Sequence, residues 1–267
     1  MDLISIMVLT YNSEKTIIET LESISNQTYK NIEIVVSDDG SNDNTVFIVE
    51  QWFKNHVFLK RKILTSTKNQ GTSANFNKAL KAATGKLIKD IAGDDILYPN
   101  AITEYYHAYL NDKNCIWVAK CKCFGEDEDF VQMTQKELNY DLFYKLTNRE
   151  QFKRLCVGNV ISSPSVGLIE KSLFDKVGAC DESYFILEDY PLILKISRYG
   201  YLYKLIDQEL VGYRIGKKSV SRVGLSDYFK CKRLFFFKER LWLMFATFSW
   251  LALIRQLCYY SLSFLKR

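Results

Sequence analysis

The chain has 267 residues, of which 48% are hydrophobic and 25% are charged, and its formal net charge is +5. This length and apolar content allow a full hydrophobic core, and the lack of repeats or low-complexity segments excludes a fibrous or repeat protein. Seven cysteines are scattered through the sequence, and the spacing of Cys121 and Cys123 is poor for zinc. No cleavable signal precedes the first strand, so we expect reduced thiols and a cytoplasmic location.

The first predicted element is a strand over residues 3–9 that ends in the polar turn Thr10–Ser13. Residues 14 to about 27 then place isoleucine and leucine side chains on one face of a helix. Tyr11 and Asn12 therefore lie at the carboxyl end of a strand, which is where open α/β sheets bind ligands.

The second unit is a strand over residues 32–36, an acidic turn and a helix that continues to Trp52. The turn contains Asp38, Asp39 and Gly40, and the glycine permits a tight bend. An aspartate at such a turn can accept a hydrogen bond from a ribose hydroxyl or from the N–H of a base. The turn also suits capping of the following helix, and that role does not exclude ligand binding.

The third unit ends in Asp94 and Asp95, which follow the apolar run Leu87–Ile88 and precede a helix that begins at Pro99. Two like charges at the end of a buried strand repel each other, so a cation is expected between them. Carboxylate oxygens suit Mg²⁺ or Mn²⁺. The alternative interpretation is a solvated turn that caps the next helix.

Three strand–turn–helix units in roughly the first hundred residues predict an α/β fold with a parallel sheet and helical crossovers. The sequence contains neither the glycine-rich dinucleotide fingerprint nor a P-loop. The predicted nucleotide fold is therefore of another kind.

The middle of the chain leaves several roles open. The acidic run Glu126–Asp129 favours a solvated loop, and residues 166–169 are typical of a strand. Several aromatic side chains can either stack on sugar rings or belong to the core. They are Trp117, Tyr140, Phe143, Tyr144 and Tyr184.

Glu188 and Asp189 form a further acidic pair, near the start of a helical run that contains Leu192, Ile193 and Ile196. A helix N-terminus is expected to lower the pKa of a carboxyl group and keep it ionised. From the residues alone, a catalytic base and an ordinary acidic first turn are equally supported.

Five short segments occur in order and at ordinary spacing: Leu9–Ser13, Val36–Asp43, Asn69–Gly71, Gly93–Asp95 and Glu188–Asp189. Together they resemble the family 2 glycosyltransferases of the GT-A fold, over about residues 1–215. The resemblance implies a Rossmann-like nucleotide-binding fold with a mixed, mainly parallel sheet flanked by helices.

The resemblance also implies how the donor is bound. The first turn, Thr10 to Asn12, lines the nucleotide pocket, and the acidic turn Asp38–Asp39 contacts the uracil or ribose through Asp39. The donor then lies along residues 69–77, which include Asn69, Gly71 and Asn75.

The chemistry implied by the resemblance is an inverting displacement. Asp94, with Asp95 nearby, binds Mn²⁺ or Mg²⁺ between the two donor phosphates, and the metal stabilises the leaving group as a Lewis acid. Asp189, beside Glu188, takes the proton from the acceptor hydroxyl, a role that typically contributes about 10²–10⁴-fold.

Three positions depart from the family pattern. Ala92 stands where an aspartate often precedes the metal aspartate, Asn75–Asn77 replaces an arginine-containing segment, and Gly216 replaces a histidine. The metal would then rest on Asp94, with help from Asp95 or water. Three cations can compensate electrostatically. They are Arg214, Lys217 and Lys218.

Residues 229–267 form a basic, aromatic-rich tail. They carry a net charge of +7 against +5 for the whole chain, which leaves −2 for the remainder. The apolar stretch Leu241–Ile254 is shorter than the ~20 residues of a membrane span. A helix pair in the membrane interface is favoured over a hairpin packed on the domain or on a partner subunit. Nucleic acid is not expected as a partner, because so apolar a segment would leave large exposed patches.

We therefore expect a catalytic domain over residues 1–222, with a donor half (1–98) and an acceptor half (99–222), and an amphipathic helical tail over residues 223–267. The expected reaction moves a hexose from a nucleotide-diphosphate sugar to a hydroxyl of a lipid-diphosphate-linked saccharide. The donor would be a UDP-hexose or UDP-N-acetylhexosamine. The enzyme would act in O-antigen or capsule assembly, peripherally on the inner face of the cell membrane.

Two other functions remain open. The first is a non-catalytic nucleotide-sugar-binding or scaffold protein, which Ala92 and Gly216 make conceivable. The second is a sugar nucleotidyltransferase, which is disfavoured because the turn after the first strand lacks glycines.

Overall fold

The computed structural model describes residues 1–138, 140, 142–216, 225–247, 249 and 252–257. The strands are β1 (Ile4–Thr10), β2 (Ile32–Asp38), β3 (Lys60–Thr65), β4 (Leu87–Ala92), β5 (Ile96–Leu97), β6 (Cys115–Phe124), β7 (Ile169–Glu170) and β8 (Leu202–Arg214). The helices are α1 (Ile17–Ser25), α2 (Thr45–Asn55), α3 (Thr72–Ala82), α4 (Ala101–Asn111), α5 (Glu128–Glu137), α6 (Asn148–Val157), α7 (Lys171–Val177), α8 (Asp189–Arg198), α9 (Leu225–Phe235) and α10 (Leu241–Ala246), with a π turn at Phe236–Arg240. Residues 252–257 are also helical.

A five-stranded sheet forms the centre of the fold, in the order β3-β2-β1-β4-β7. The first four strands are parallel, and β7 joins β4 in antiparallel orientation. Strands β1 and β2 are buried along nearly their whole length, as expected of parallel strands covered by helices on both faces. The predicted mixed, mainly parallel α/β fold is confirmed.

A smaller sheet with the order β5-β8-β6 lies beside the first. The two-residue strand β5 follows the Gly93–Asp95 turn directly and pairs with the far end of β8, Ile96 opposite Gly212. This pairing brings a segment from late in the chain against the acidic turn of the first half.

Two predictions of local structure in the middle of the chain were wrong. Residues 166–169 were expected to form a strand, but β7 contains only Ile169 and Glu170, and Val166 makes a single bridge with Val118. The acidic run is helical from Glu128 onwards, because Asp127 accepts a hydrogen bond from the N–H of Phe130 and caps α5. Acidic residues in a first turn are favoured by the helix dipole.

The hydrophobic core has two parts, one on each face of the central sheet. One contains side chains of α1, α2 and α4, and the other contains side chains of α3, α6, α7 and α8. Phe143 and Tyr184 belong to the second part and are almost fully buried, so they are core residues.

The described part of the tail packs on this second core. Phe235, Phe236 and Met244 are almost fully buried in it. One face of the tail therefore packs on the α/β domain, as in the hairpin alternative left open above. Other apolar side chains of the tail, such as Trp242, stay exposed. In the described residues, no helix combines the length and the hydropathy that a membrane span needs.

Candidate active site

Three polar turns meet at the carboxyl edge of the central sheet. Thr10 at the end of β1 lies opposite Asp38 at the end of β2, and Leu9 lies opposite Ala92 at the end of β4. Because the strands are parallel neighbours, the turns that follow them are adjacent in space. The sequence analysis placed each turn at the end of a strand, and the strand order of the sheet brings the turns together.

A hydrogen bond between Thr10 and Asp38 joins the ends of β1 and β2, where the first two turns begin. Asp38 is 2% exposed, and its carboxylate accepts hydrogen bonds from Thr10 Oγ1 (2.9 Å) and from the backbone N–H of Ser41 (2.9 Å). Asn12, at φ +52°, accepts from the N–H of Asn42, while Tyr11 is 43% exposed. Of these four predicted residues, Tyr11 and Asn12 are open to a ligand, and Thr10 and Asp38 shape the turn.

Asp39 fixes the loop that leads into α3. Its two carboxylate oxygens accept hydrogen bonds from the N–H groups of Gln70 (2.9 Å) and Gly71 (2.8 Å). Asn69 also accepts from the Gly71 N–H, at 3.0 Å. Asp39 is therefore buried at the junction of the two segments, and the remaining lone pairs of its oxygens are its available acceptors.

The side chain of Asn75 is buried between α3 and the end of β2. It is 4% exposed, its amide N–H donates to the carbonyl of Ser37 (2.8 Å), and its amide oxygen accepts from Ser37 Oγ (2.7 Å). The structure thus shows that the Asn75 side chain joins α3 to β2.

Lys78 is a cation at this site that the sequence analysis missed. Its Nζ donates to the carbonyl of Asp38 (2.8 Å) and to Ser66 Oγ (2.7 Å). Burial lowers the pKa of Lys78, and the Asp39 and Asp38 charges oppose that shift. Its position one helical turn after Asn75 was the available signal, because residues three apart share a helix face.

The acidic turn after β4 is tied to Arg214. Asp95 is 1% exposed and accepts a hydrogen bond from the backbone N–H of Arg214 (2.8 Å), while Arg214 Nε donates to the carbonyl of Asp94 (2.7 Å). The Arg214 guanidinium also pairs with Glu19 and lies 4.4 Å from the ring centroid of Phe124. Lys217 and Lys218, the other proposed cations, lie outside the described residues.

The electrostatics of the turn favour a bound cation. Burial raises the pKa of Asp95 well above its usual range, and the Asp94 charge raises it further. Burial also raises the pKa of Asp94, although Arg214 opposes the shift. Two carboxylates side by side are stabilised in their ionised form when further positive charge is added nearby.

The residues at the turn suit a divalent cation that is shared with a ligand. Among the described residues, no group of three or more His, Cys, Asp or Glu side chains could hold a metal alone. Mg²⁺, however, is commonly bound by one or two carboxylates together with substrate phosphates and water. Asp94 is partly exposed and supplies hard oxygen ligands of this kind. The donor set therefore fits a metal that arrives with a diphosphate.

Glu188 and Asp189 lie at the N-terminus of α8, as predicted. The predicted lowering of their pKa was wrong. Burial raises the pKa of Glu188 to about 7, with the Asp189 charge as the second cause, and burial also raises the pKa of Asp189. Loss of hydration and a neighbouring carboxylate outweigh the helix dipole here. Glu188 accepts a hydrogen bond from Thr72 Oγ1 at the start of α3.

Tyr213 links the two acidic groups. Burial raises the pKa of this β8 phenol, and the charges of Asp95, Asp94 and Asp189 raise it further, so all three carboxylates lie near this one side chain. Asp90 on β4 is a further neighbour, since its charge raises the pKa of both Glu188 and Asp189. The sequence analysis missed the roles of Tyr213 and Asp90, because both depend on pairings between distant segments.

Comparison with known proteins agrees with this geometry. The profile of "Glycosyl transferase family 2" matches residues 5–178. The Escherichia coli protein WfaP, named UDP-Glc:alpha-D-GlcNAc-diphosphoundecaprenol beta-1,3-glucosyltransferase, is 29% identical over 228 residues, which cover 83% of this chain and 80% of WfaP.

Solved structures show the same fold. Residues 1–349 of Staphylococcus aureus TarS match with a TM-score of 0.66 and 23% identity, over 88% of this chain and 64% of that one. The same TarS fragment has been solved in complex with UDP-GlcNAc. The mannosyltransferase PcManGT of Pyrobaculum calidifontis, in complex with GDP-Man and Mn²⁺, matches with a TM-score of 0.59 and 20% identity, over 81% of this chain and 58% of that one.

The family match covers well over half of the chain, and the fold is that of GT-A glycosyltransferases. The carboxyl edge of its central sheet holds the acidic turns described above. The chain therefore belongs to glycosyl transferase family 2 and is a glycosyltransferase.

Proposed function

We propose that this enzyme transfers a hexose, with inversion, from a UDP-sugar to a hydroxyl of a lipid-diphosphate-linked saccharide in surface polysaccharide assembly. The observation that carries the proposal is that Tyr213 lies near both acidic groups, since the charges of Asp95, Asp94 and Asp189 all raise its pKa. The Asp94–Asp95 turn is suited to holding a cation for the leaving diphosphate, and Asp189 is suited to accepting the proton of the attacking hydroxyl.

The donor would occupy the carboxyl edge of the central sheet. Tyr11 offers an exposed ring for the base, and Asp39 offers acceptor lone pairs for the base or ribose. Arg214 provides positive charge beside the acidic turn, and Lys78 provides it beneath Asp38. The names of WfaP and of the TarS complex, which contain UDP-glucose and UDP-GlcNAc, support a UDP-sugar over other nucleotide sugars.

A divalent cation, Mg²⁺ or Mn²⁺, would be held by Asp94, with Asp95 behind it. When bound, such a cation stabilises the negative charge that gathers on a leaving diphosphate. The chain's own contribution is to keep this carboxylate pair in place, through the Arg214 backbone N–H on Asp95 and Arg214 Nε on the Asp94 carbonyl.

Asp189 would act as the general base. The acceptor oxygen forms its bond to the anomeric carbon opposite the diphosphate, the bond from that carbon to the diphosphate oxygen breaks, and the hydroxyl proton passes to Asp189. A raised pKa suits this role, because a base works best when its pKa approaches the working pH. Glu188, which binds Thr72, would orient the segment rather than take the proton.

The tail would place the enzyme on the inner face of the cell membrane. Its outward face combines exposed apolar side chains with basic ones, a composition that binds anionic lipid surfaces. The exposed apolar residues are Phe229, Leu234, Phe237, Trp242, Phe245, Ile254 and Leu257. The enzyme and an acceptor whose lipid is anchored in the bilayer would then lie on the same membrane surface, which brings the acceptor close to the active site.

A donor panel tests the proposed function. Purified full-length protein is incubated with Mn²⁺, GlcNAc-diphosphate on a short alkyl chain, and each of UDP-glucose, UDP-galactose, UDP-GlcNAc and UDP-GalNAc. The proposal predicts a product with one added sugar from one of these donors, detected by mass spectrometry. Tight UDP binding by calorimetry without product from any donor would contradict the proposed reaction and favour a binding-only role.

A further inference from the structure

The segment that carries the proposed base, Asp181–Tyr190, is held from the donor side by α3. The N–H of Thr72 donates to the carbonyl of Phe185 (2.8 Å), Ser73 Oγ donates to the carbonyl of Tyr184 (2.6 Å), and Thr72 Oγ1 donates to Glu188. Because Asp39 binds the N–H of Gly71 just before α3, these contacts connect the nucleotide turn to the carboxylates.

The tail also holds the same segment, through contacts other than those of α3. The hydroxyl of Tyr184 donates to Glu239 (2.9 Å), and Lys238 Nζ donates to Asp181 (2.6 Å). The ring of Phe235 meets those of Tyr184 and Tyr190 edge-on, with centroids 5.5 Å and 5.0 Å apart. These contacts bracket Glu188 and Asp189 on the chain.

The contacting stretch of the tail, residues 235–240, is itself anchored in the domain. Arg240 is 5% exposed, lies 5.3 Å from the ring centroid of Tyr190, and donates through Nε to the carbonyl of Cys156 (2.9 Å). Phe235 and Phe236 are almost fully buried. The stretch includes a π turn, an irregularity often found at functional sites.

We propose that residues 235–240 of the tail are a positioning element of the active site, which presses the segment Asp181–Tyr190 against α3 and so sets the place of Asp189. The inference rests on the proposed role of Asp189 as the base. A tail suited to membrane contact would then also support catalysis, and a displacement of the base by about 1 Å can cost about 10²-fold in rate.

A positive charge of the tail also acts on the carboxylate of Asp189. The groups that face Asp189 are the acidic Asp90 and Glu188, the thiol of Cys180, the phenol of Tyr213 and the cation Lys232 of α9. Lys232 opposes the rise of the Asp189 pKa that burial causes. The tail thus contributes both packing and positive charge at the proposed base.

The first test compares two substitutions at one position in the full chain. Glu239→Gln keeps an acceptor for the Tyr184 hydroxyl, whereas Glu239→Ala removes it. We expect Glu239→Ala to lower kcat about 3- to 10-fold with the donor KM within about twofold, Glu239→Gln to stay near wild type, and Tyr184→Phe to match Glu239→Ala. The double variant Tyr184→Phe/Glu239→Ala should be no slower than either single variant, since both remove one hydrogen bond.

The water-soluble acceptor with a short alkyl chain keeps membrane effects out of this assay. Trp242→Ala, at a tail residue that is 67% exposed, should keep wild-type kcat. Melting curves and UDP calorimetry identify any variant that fails to fold. If Glu239→Ala is folded and keeps wild-type kcat, or if its loss and that of Tyr184→Phe are additive, the inference is overturned.

A pH profile provides a second readout. Without the Lys232 cation the ionised form of Asp189 is less favoured, so the acid limb of the kcat–pH profile should move to higher pH in Lys232→Met. Lys230→Met removes the same charge from the same helix, about 200° around its axis, and should leave the limb in place. Identical profiles for the two variants would contradict the electrostatic role. A wild-type enzyme with no transferase activity would instead refute the proposed function, which separates the two failures.

Discussion

Gly71 shows how closely two segments of the site approach each other. It adopts φ +94°, and a Cβ at this position would clash with the carbonyl oxygen of Phe185. The glycine is therefore needed both for its backbone conformation and for the contact between the donor loop and the segment that carries Glu188 and Asp189.

Gly71→Ala should destabilise the enzyme and impair transfer. Gly178 is a matched control, because it also has a positive φ (+81°) but a methyl group there would have no other atom within 4 Å. We expect Gly178→Ala to cost about 1 kcal/mol of the free energy of unfolding and Gly71→Ala about 1–3 kcal/mol more, measured by urea denaturation. Equal costs for the two variants would show that the Phe185 contact is unimportant.

Glu188 predicts a pH dependence of stability. Burial raises its pKa to about 7 in the folded chain, against about 4.3 when unfolded. The unfolded chain loses this proton first, so the contribution of Glu188 to stability is full below about pH 4 and is lost as the pH rises towards 7.

Glu188→Gln mimics the protonated group and removes that loss. The variant should be more stable than wild type at pH 8, with little difference at pH 4, in urea denaturation. Glu182→Gln, on the same segment but exposed, serves as the control. A Glu188→Gln effect that is the same at both pH values would mean that the carboxyl group titrates normally in the folded chain.

At the scale of single residues, the sequence located the acidic turns correctly but misjudged their environment. Asp38 is the last residue of β2, Asp39 follows it, and Asp94 and Asp95 follow β4. These positions depend only on the local sequence pattern. The direction of the Glu188 pKa shift depends on burial by segments far away in the chain, so it could not be predicted from the helix start alone. For the same reason, the hydrogen bonds between Asn75 and Ser37 of β2 could not be predicted.

At the scale of elements, the tail tests the membrane proposal. One of its faces packs in the core, while Trp242 and Ile254 are 67% and 56% exposed. Burial of these side chains in a lipid interface would contribute roughly 1.5–3 kcal/mol each, together with attraction between basic residues and anionic headgroups.

The variant Trp242→Ser/Ile254→Ser should bind anionic vesicles at least about tenfold more weakly than wild type, measured by sedimentation with phosphatidylglycerol vesicles. Phe58→Ser is the control, because Phe58 is 98% exposed but lies between α2 and β3. High salt should also weaken binding by wild type. Failure of the wild-type chain to bind such vesicles would contradict the proposed membrane contact.

Local sequence patterns predicted β1, β2 and β4 with their polar turns, because the apolar run of each strand and the turn that follows it are visible within one short segment. The tail was harder to interpret, since a basic helix with one apolar face suits both a lipid surface and a protein core. In the described residues the tail uses one face for the core and exposes apolar side chains elsewhere. The short strand β5, with two residues, carries no periodic signal at all.

At the scale of the whole molecule, the expected donor half (1–98) and acceptor half (99–222) contact each other through strand pairing and hydrogen bonds. β5 pairs with β8, and Thr72 of α3 binds Phe185 and Glu188. The active site therefore lies where late segments return to the carboxyl edge of the first sheet. A sequence gives the order of such segments, but their mutual distances follow only from the packed fold.

The sharpest test of the proposed mechanism is sugar transfer by Asp189→Asn, measured alongside the affinity of the variant for UDP. Asparagine keeps the size of the side chain but cannot accept the acceptor's proton, so kcat should fall at least about 10²-fold while the Kd for UDP, measured by calorimetry, stays within about twofold. Asp175→Asn, at an exposed position on α7, should behave as wild type in both assays. Normal turnover by Asp189→Asn would contradict the assignment of Asp189 as the base.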